Sequence, residues 1–239
     1  MLEHINLEEI LFLDIETVPG QRSFQDNDPE LQHLWEEKSK YIRERNELSL
    51  EDSWNQAGIY AEFGKIICIG VGYFSQRQGE RVFRCTAFSS DDEHEVLSGF
   101  ADLLNNHTNE PFRLLCAHNG KEFDFPYLSR RMLIQGIALP SMLDTAGRKP
   151  WEVQHLDTME LWKFGDYKHY TSLKLLAKIF HIPTPKDDID GSMVRSVYYD
   201  EQDLDRIRTY CLKDVLTIAQ LMLRYRQLPI LDDDQVIHV

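Results

Sequence analysis

The stretch Ile10-Leu11-Phe12-Leu13-Asp14-Ile15-Glu16-Thr17-Val18 constrains this chain more than any other. Four consecutive apolar residues, with Pro19-Gly20 as a stop, read as a strand covered on both faces. Asp14 and Glu16 interrupt it, where charge is costly. A side-chain period of two puts both carboxylates on one face, their Cα atoms roughly 6.5 Å apart. Either the strand ends at Leu13 and both acids are solvated at its tip, or a divalent cation relieves their repulsion.

The remaining elements place this strand in a mixed sheet. Further strands are predicted over Gly64–Phe74, Arg81–Phe88, Arg113–Ala117 and, in short form, within Val153–Leu161. Helices are predicted near 30–48, with Leu31, Leu34, Trp35 and Ile42 as the apolar face, and from Ser90 to about Leu104. Ser90 would be the N-cap of the latter and Glu93 would complete a capping box. Phe125–Gln135, Ser172–Phe180 and Asp203–Arg226 complete the helices, and 183–191 is a Pro- and Asp-rich loop. Three strands in close succession, then alternating strands and helices, describe an α/β domain over 1–239. The polar segment 21–60 reads as a helical insertion or arm on that domain rather than as its core.

Composition narrows the function classes. Hydrophobic residues make up 42% and charged residues 28%, which excludes collagenous and wholly disordered chains. Apolar runs such as Ile66–Val71 fall far short of the about 20 residues that a membrane span needs. The first residues carry no basic stretch of a secretory signal. The four cysteines, at 68, 85, 116 and 211, form no C-x-x-C pair, so neither a zinc site nor a disulfide framework is expected. A cytoplasmic location fits. Net charge is −14. Residues 1–62 alone are net −10, whereas 121–186 are net +3; only that stretch offers a polyanion a welcoming surface.

Two further constellations carry chemistry. After the fourth strand, Asn119-Gly120 marks a turn and Asp124 opens a helix, flanked by Phe123 and Phe125. Asp124 is either a helix cap or a ligand; the phenylalanines are either core or a base-stacking platform. On the final helix, Leu204, Ile207, Cys211, Val215, Ile218 and Met222 form the core stripe. Tyr210 and Asp214, four apart, share its flank, either as a surface pair or as part of a site. Carboxylates from three separate elements plus a polar group to position water are what a two-metal hydrolase requires. Rival motifs fail: Gly70-x-Gly72 lies inside a strand with no helix after it, no H-x-x-x-H pair is present, and G-x-S-x-G is missing.

Phe12-Leu13-Asp14-Ile15-Glu16-Thr17, Asn119-x-x-x-Phe123-Asp124 and Tyr210-x-x-x-Asp214 together resemble the three motifs of the Asp-Glu-Asp-Asp 3′–5′ exonucleases of the RNase H-like superfamily, tyrosine branch (DEDDy). The pattern is most similar to exonuclease domains of family B DNA polymerases and to stand-alone bacterial PolB-like exonucleases. Thr209 stands where the histidine branch would carry His. Smaller echoes run through Gly64–Gly70, His155–Thr158 and Ser172–Ala177, and residues 21–60 match least.

The resemblance implies an RNase H-like mixed five-stranded sheet of order 3-2-1-4-5, strand 2 antiparallel, flanked by helices. It implies two divalent ions, Mg2+ or Mn2+, held by Asp14, Glu16, Asp124 and Asp214, with Tyr210 orienting the attacking water. It implies hydrolysis of single-stranded DNA from its 3′ end to nucleoside monophosphates, in repair or replication. Thr17, Asn119 and Phe123 would contact the terminal nucleotides, and Arg130, Arg131, Lys163, Lys168 and Lys174 are candidates for phosphates. Binding by so acidic a chain would be weak, salt-sensitive and limited to a short 3′ end. No polymerase palm or fingers are expected, so any polymerase or helicase partner would be a separate chain. RNA as the substrate, or an inert binding module of the same fold, are the alternatives.

Overall fold

The computed structural model describes residues 2–106, 112–166, 170–183 and 189–239. Lys168 and residues 184–188 of the expected loop lie outside them. Among the described residues one sheet contains β1 (Ile10–Pro19), β2 (Gly64–Arg77), β3 (Glu80–Ser89), β4 (Leu114–Ala117), β5 (Leu156–Asp157) and β6 (Val236–His238). The order is β5-β4-β1-β2-β3-β6. β2 runs antiparallel to β1 and β3, while β4 is parallel to β1 and β5. The expected five-strand order and the antiparallel second strand are both present, in an RNase H-like arrangement.

One strand differs from expectation. β6 pairs in parallel with β3, Phe83 opposite Val236; a three-residue strand is too short to leave a period in the sequence. The short fifth strand expected within Val153–Leu161 is Leu156–Asp157, ended where Thr158 begins a helix capped by Asp157.

The helices are α1 (Pro29–Asn46), α2 (Leu50–Trp54), α3 (Glu93–Asn105), α4 (Asp124–Ile134), α5 (Thr158–Lys163), α6 (Leu173–Ile179), α7 (Val194–Ser196) and α8 (Leu204–Tyr225). β1 explains how they are layered. Leu11, Leu13 and Ile15 pack with Val96, Leu97 and Phe100 of α3 and Leu128 and Met132 of α4. Ile10 and Phe12, one residue out of phase, pack with Val215, Ile218 and Met222 of α8. The period of two therefore sends Asp14 and Glu16 toward the α8 layer.

The start of α3 corrects one expectation. Asp92, not Ser90, is the N-cap, its carboxylate accepting the His94 amide hydrogen. Glu93 does not close a capping box. Its buried carboxylate accepts the Ile66 amide at 2.7 Å and pairs with Arg131 of α4, which ties β2, α3 and α4 together.

The 21–60 segment is helical, as expected, and has a small core of its own. Phe24, Trp35, Trp54 and Phe63 form one buried cluster, with Trp35 and Trp54 rings edge to face at 5.3 Å. Trp35 Nε1 donates to Ser53 Oγ and Trp54 Nε1 to the Gln21 carbonyl, so neither indole leaves a buried donor unpaired. Of the predicted apolar face of α1, Trp35 is fully buried, whereas Leu34 is 47% exposed.

Candidate active site

The site is built where α8 crosses β1 and β2. Asp14 pairs with Gly70 and Glu16 with Cys68 across the antiparallel ladder, and the register shifts between Glu16 and Thr17. Such bulges re-aim side chains and recur beside active sites. A Cβ at Gly70 would lie 2.8 Å from Cys211 Sγ and 2.9 Å from Val215 Cγ2. The missing side chain lets α8 rest almost on the strand. Cys211 locks the contact: its thiol accepts the Gly70 amide at 3.2 Å and donates to the Asp14 carbonyl at 3.4 Å.

That close approach delivers Tyr210 and Asp214, on the flank of the α8 core stripe, to the carboxylates of β1. Five of the six predicted stripe residues, Ile207, Cys211, Val215, Ile218 and Met222, are buried, and Leu204, at the first turn, is half-buried. Tyr210 hydrogen-bonds Asp214, and the charges of Asp214, Glu16 and Asp14 all reach its phenol.

Asp124 enters from the other side of β1. β4 pairs with β1 only over Ile10–Phe12, so the edge of β1 beyond Phe12 lacks that strand partner. The Asp124 carboxylate accepts the Ile15 amide hydrogen there. The carboxylate also accepts its own amide hydrogen, so Asp124, the first residue of α4, satisfies one first-turn donor as well as meeting β1, while the N-cap position, Phe123, makes no side-chain cap.

The electrostatics describe a crowded acidic centre. Burial, then the Glu16, Asp214 and Asp124 charges, raise Asp14 well above the ordinary carboxylate range. Burial and Asp214 do the same to Glu16. Asp124 is pushed up to about 7, chiefly by burial and with Asp157 adding to it. Burial and Asp214 raise Tyr210, so its phenol stays protonated at neutral pH. Ligand atoms of Asp14, Glu16 and Cys211 lie within 4.8 Å of one another. Hard oxygen donors that share a buried space and repel one another fit a hard divalent cation, which would relieve the repulsion. Cys211 was foreseen only as a core residue; its place beside the acids comes from the packing of α8 on Gly70.

The residues expected to meet a substrate are spread over β1, the β4–α4 turn and the helices. The Thr17 hydroxyl is on the opposite face of β1 and hydrogen-bonds Tyr127; Tyr127 in turn donates to the Gly58 carbonyl at 2.8 Å. Asn119 adopts a left-handed φ of 64°, and its side-chain oxygen is buried with no hydrogen-bond partner among the described residues. Phe123 is half-buried, its ring 5.3 Å from that of Tyr127, whereas Phe125 is core. Among the basic candidates Arg130 and Lys174 are exposed and Lys163 half-exposed. Arg131 is not available to a phosphate: it is buried, with its guanidinium on Glu93 and the Ala61 carbonyl.

One residue that organises the site went unnoticed as such in the sequence. The Asp157 carboxylate accepts amide hydrogens from Asn119, Lys121, Met159 and Glu160 at 2.9–3.2 Å. It joins the β4–α4 turn to the start of α5. Only its Asp-Thr sequence before an apolar run hinted at a cap.

Comparison with known proteins identifies a family and a fold. The family described as predicted 3′–5′ exonuclease related to the exonuclease domain of PolB matches residues 59–234. That range contains Asn119, Phe123, Asp124, Tyr210 and Asp214, while Asp14, Glu16 and Thr17 precede it. Among solved structures, the family B DNA polymerase from the hyperthermophilic archaeon Pyrobaculum calidifontis matches 91% of this chain with a TM-score of 0.53 and 16% identity. The chain spans 24% of the length of that polymerase, and the likeness is one of fold. No curated protein matches the chain. No helix among the described residues is long and apolar enough to cross a membrane.

Proposed function

This chain belongs to the family of predicted 3′–5′ exonucleases related to the exonuclease domain of PolB, and on that premise we propose that it removes nucleotides from the 3′ end of single-stranded DNA by two-metal hydrolysis. The observation that carries the reading is the meeting of Asp14 and Glu16 from β1, Asp124 from α4 and Tyr210 and Asp214 from α8, with their charges reaching one another.

Asp14, Glu16 and Asp214 would hold the first Mg2+ or Mn2+, and Asp14 and Asp124 the second. Such ions supply an activated water and stabilise the leaving 3′ oxygen. The rest is the work of this chain's own residues. Tyr210 keeps its proton and orients the attacking water. The Thr17 backbone, Asn119 and Phe123 hold the terminal nucleotides, Asn119 through its unpaired amide oxygen and Phe123 by stacking. Arg130, Lys163 and Lys174 attract phosphates. Those phosphate contacts make binding salt-sensitive, and the net charge of −14 keeps it weak and confined to a short 3′ end. A polymerase or helicase would supply such ends.

The test uses 5′-labelled single-stranded DNA and RNA of the same sequence, with Mn2+, Mg2+ or EDTA. The protein should shorten the DNA from its 3′ end only with metal, and Asp14→Asn should leave it intact. A preference for RNA of more than tenfold would replace the DNA assignment. Intact strands in every lane would leave a binding module of this fold.

A further inference from the structure

Asp157 makes contacts that a helix cap does not need. Two of its four amide donors, Met159 and Glu160, belong to the first turn of α5. The other two, Asn119 and Lys121, belong to the turn that leads into Asp124. Asp157 is 3% exposed. Lys121 also pairs with Glu160 at 2.7 Å, so the turn is held to α5 twice.

The turn also closes on itself, the Glu122 and Phe123 amides donating to the Asn119 carbonyl and the Phe125 amide to the Gly120 carbonyl, but among these bonds only those to Asp157 tie it to α5. Asn119 is in the left-handed region at φ 64°, a turn conformation that Asn accepts more readily than other non-glycine residues. Its amide hydrogen goes to Asp157 Oδ1 at 3.0 Å. Four residues later the backbone turns through Phe123, at φ −120° and ψ −74°, and presents Asp124 to the edge of β1.

Resting on the exonuclease reading above, we propose that Asp157 is a positioning residue of the site: by holding the Asn119 and Lys121 amides, it sets the turn that aims Asn119 and Asp124. It touches neither substrate nor metal. The competing account is that Asp157 merely caps α5.

Asp157→Ser separates the two. A serine hydroxyl caps a helix about as well as an aspartate, but it offers a single oxygen and cannot also serve Asn119 and Lys121. In the full-length protein the Asn119 and Lys121 amides of D157S should exchange with solvent faster than in wild type, while Met159 and Glu160 keep their protection. Its melting temperature should stay within about 3 °C. Its Mn2+ affinity, measured by calorimetry, should fall about 10- to 100-fold, and KM for the DNA strand should rise. Wild-type exchange and Mn2+ affinity in D157S would overturn the proposal and leave a cap. Where D157S melts much lower, Asp157→Asn is read instead. It keeps one carbonyl oxygen for the Asn119 side but turns an NH2 toward the Lys121 amide, so Lys121 protection and Mn2+ affinity should again fall; retention of both would equally overturn it. If wild type cleaves neither DNA nor RNA, the exonuclease reading fails, and the exchange and Mn2+ measurements still decide on Asp157.

Discussion

Asp14 faces Gly70 across β1 and β2, and the hydrogen that stands for a side chain at Gly70 is what lets α8 reach Asp14. A methyl group there would press on Cys211 Sγ and Val215 Cγ2 at under 3 Å. Both neighbours belong to a helix anchored by five buried stripe residues, so little can yield. Gly70→Ala should destabilise the protein by about 1–3 kcal/mol and lower nuclease activity more than stability alone explains, because Tyr210 and Asp214 move with the helix. Gly191, which has open space around its Cβ position, is the control: Gly191→Ala should change neither. Urea unfolding and strand shortening measure the two effects.

The acidic centre makes a prediction about pH. Burial raises Asp14, Glu16 and Asp124 in the folded protein, Asp124 to about 7. An acid with a raised folded pKa holds more protons in the native state than in the unfolded one. Its contribution is fully present below the unfolded pKa and is lost as pH rises through the folded value. In EDTA, this contribution should decline from about pH 4 through about 7. Asp124→Asn should flatten that decline, and Mn2+ at pH 8 should restore the lost stability. Melting curves of both proteins across this range, with and without metal, check it.

Tyr210 donates rather than ionises, since burial and Asp214 hold its proton in place. Tyr210→Phe keeps the ring in its cluster with Val18, Ile207 and Cys211 and removes only the hydroxyl. Cleavage should slow about 10²-fold or more, with Mn2+ affinity and melting temperature close to wild type. A single-turnover assay beside a metal titration separates these.

Arg131 should behave as a structural residue. Its guanidinium is spent on Glu93, whose carboxylate also holds the Ile66 amide and Gln135. Arg131→Met leaves a buried carboxylate without its cation and should cost about 3–5 kcal/mol. The salt dependence of DNA binding should be unchanged, whereas Arg130→Met should lower its slope by about one phosphate contact.

Much of this was legible from local pattern. The alternation of β1 placed Asp14 and Glu16 on one face, and the 3.6-residue period of α8 named its buried stripe and put Tyr210 and Asp214 on the flank. These regularities are written in consecutive residues, and any fold that keeps the strand and the helix must keep them. The resemblance of the three motifs then supplied the sheet order, which no local period contains.

What only the tertiary structure decided lies in contacts between segments distant along the chain. Gly70 and Gly72 looked like a failed phosphate loop; they are places where Cys211 and Phe83 approach the strand too closely for a side chain. Arg131 read as a surface cation and is half of a buried pair, because Glu93, 38 residues earlier, comes to lie beside it. Asp157 read as part of a short strand and caps a helix while gripping the turn before Asp124. Asp124 itself looked like a cap; beyond its own amide it meets the Ile15 amide where β4 has ended. A sequence sets the period and chemistry of each element, because those depend on neighbours in the chain; which charges are buried, paired or left to repel depends on what the fold packs against them.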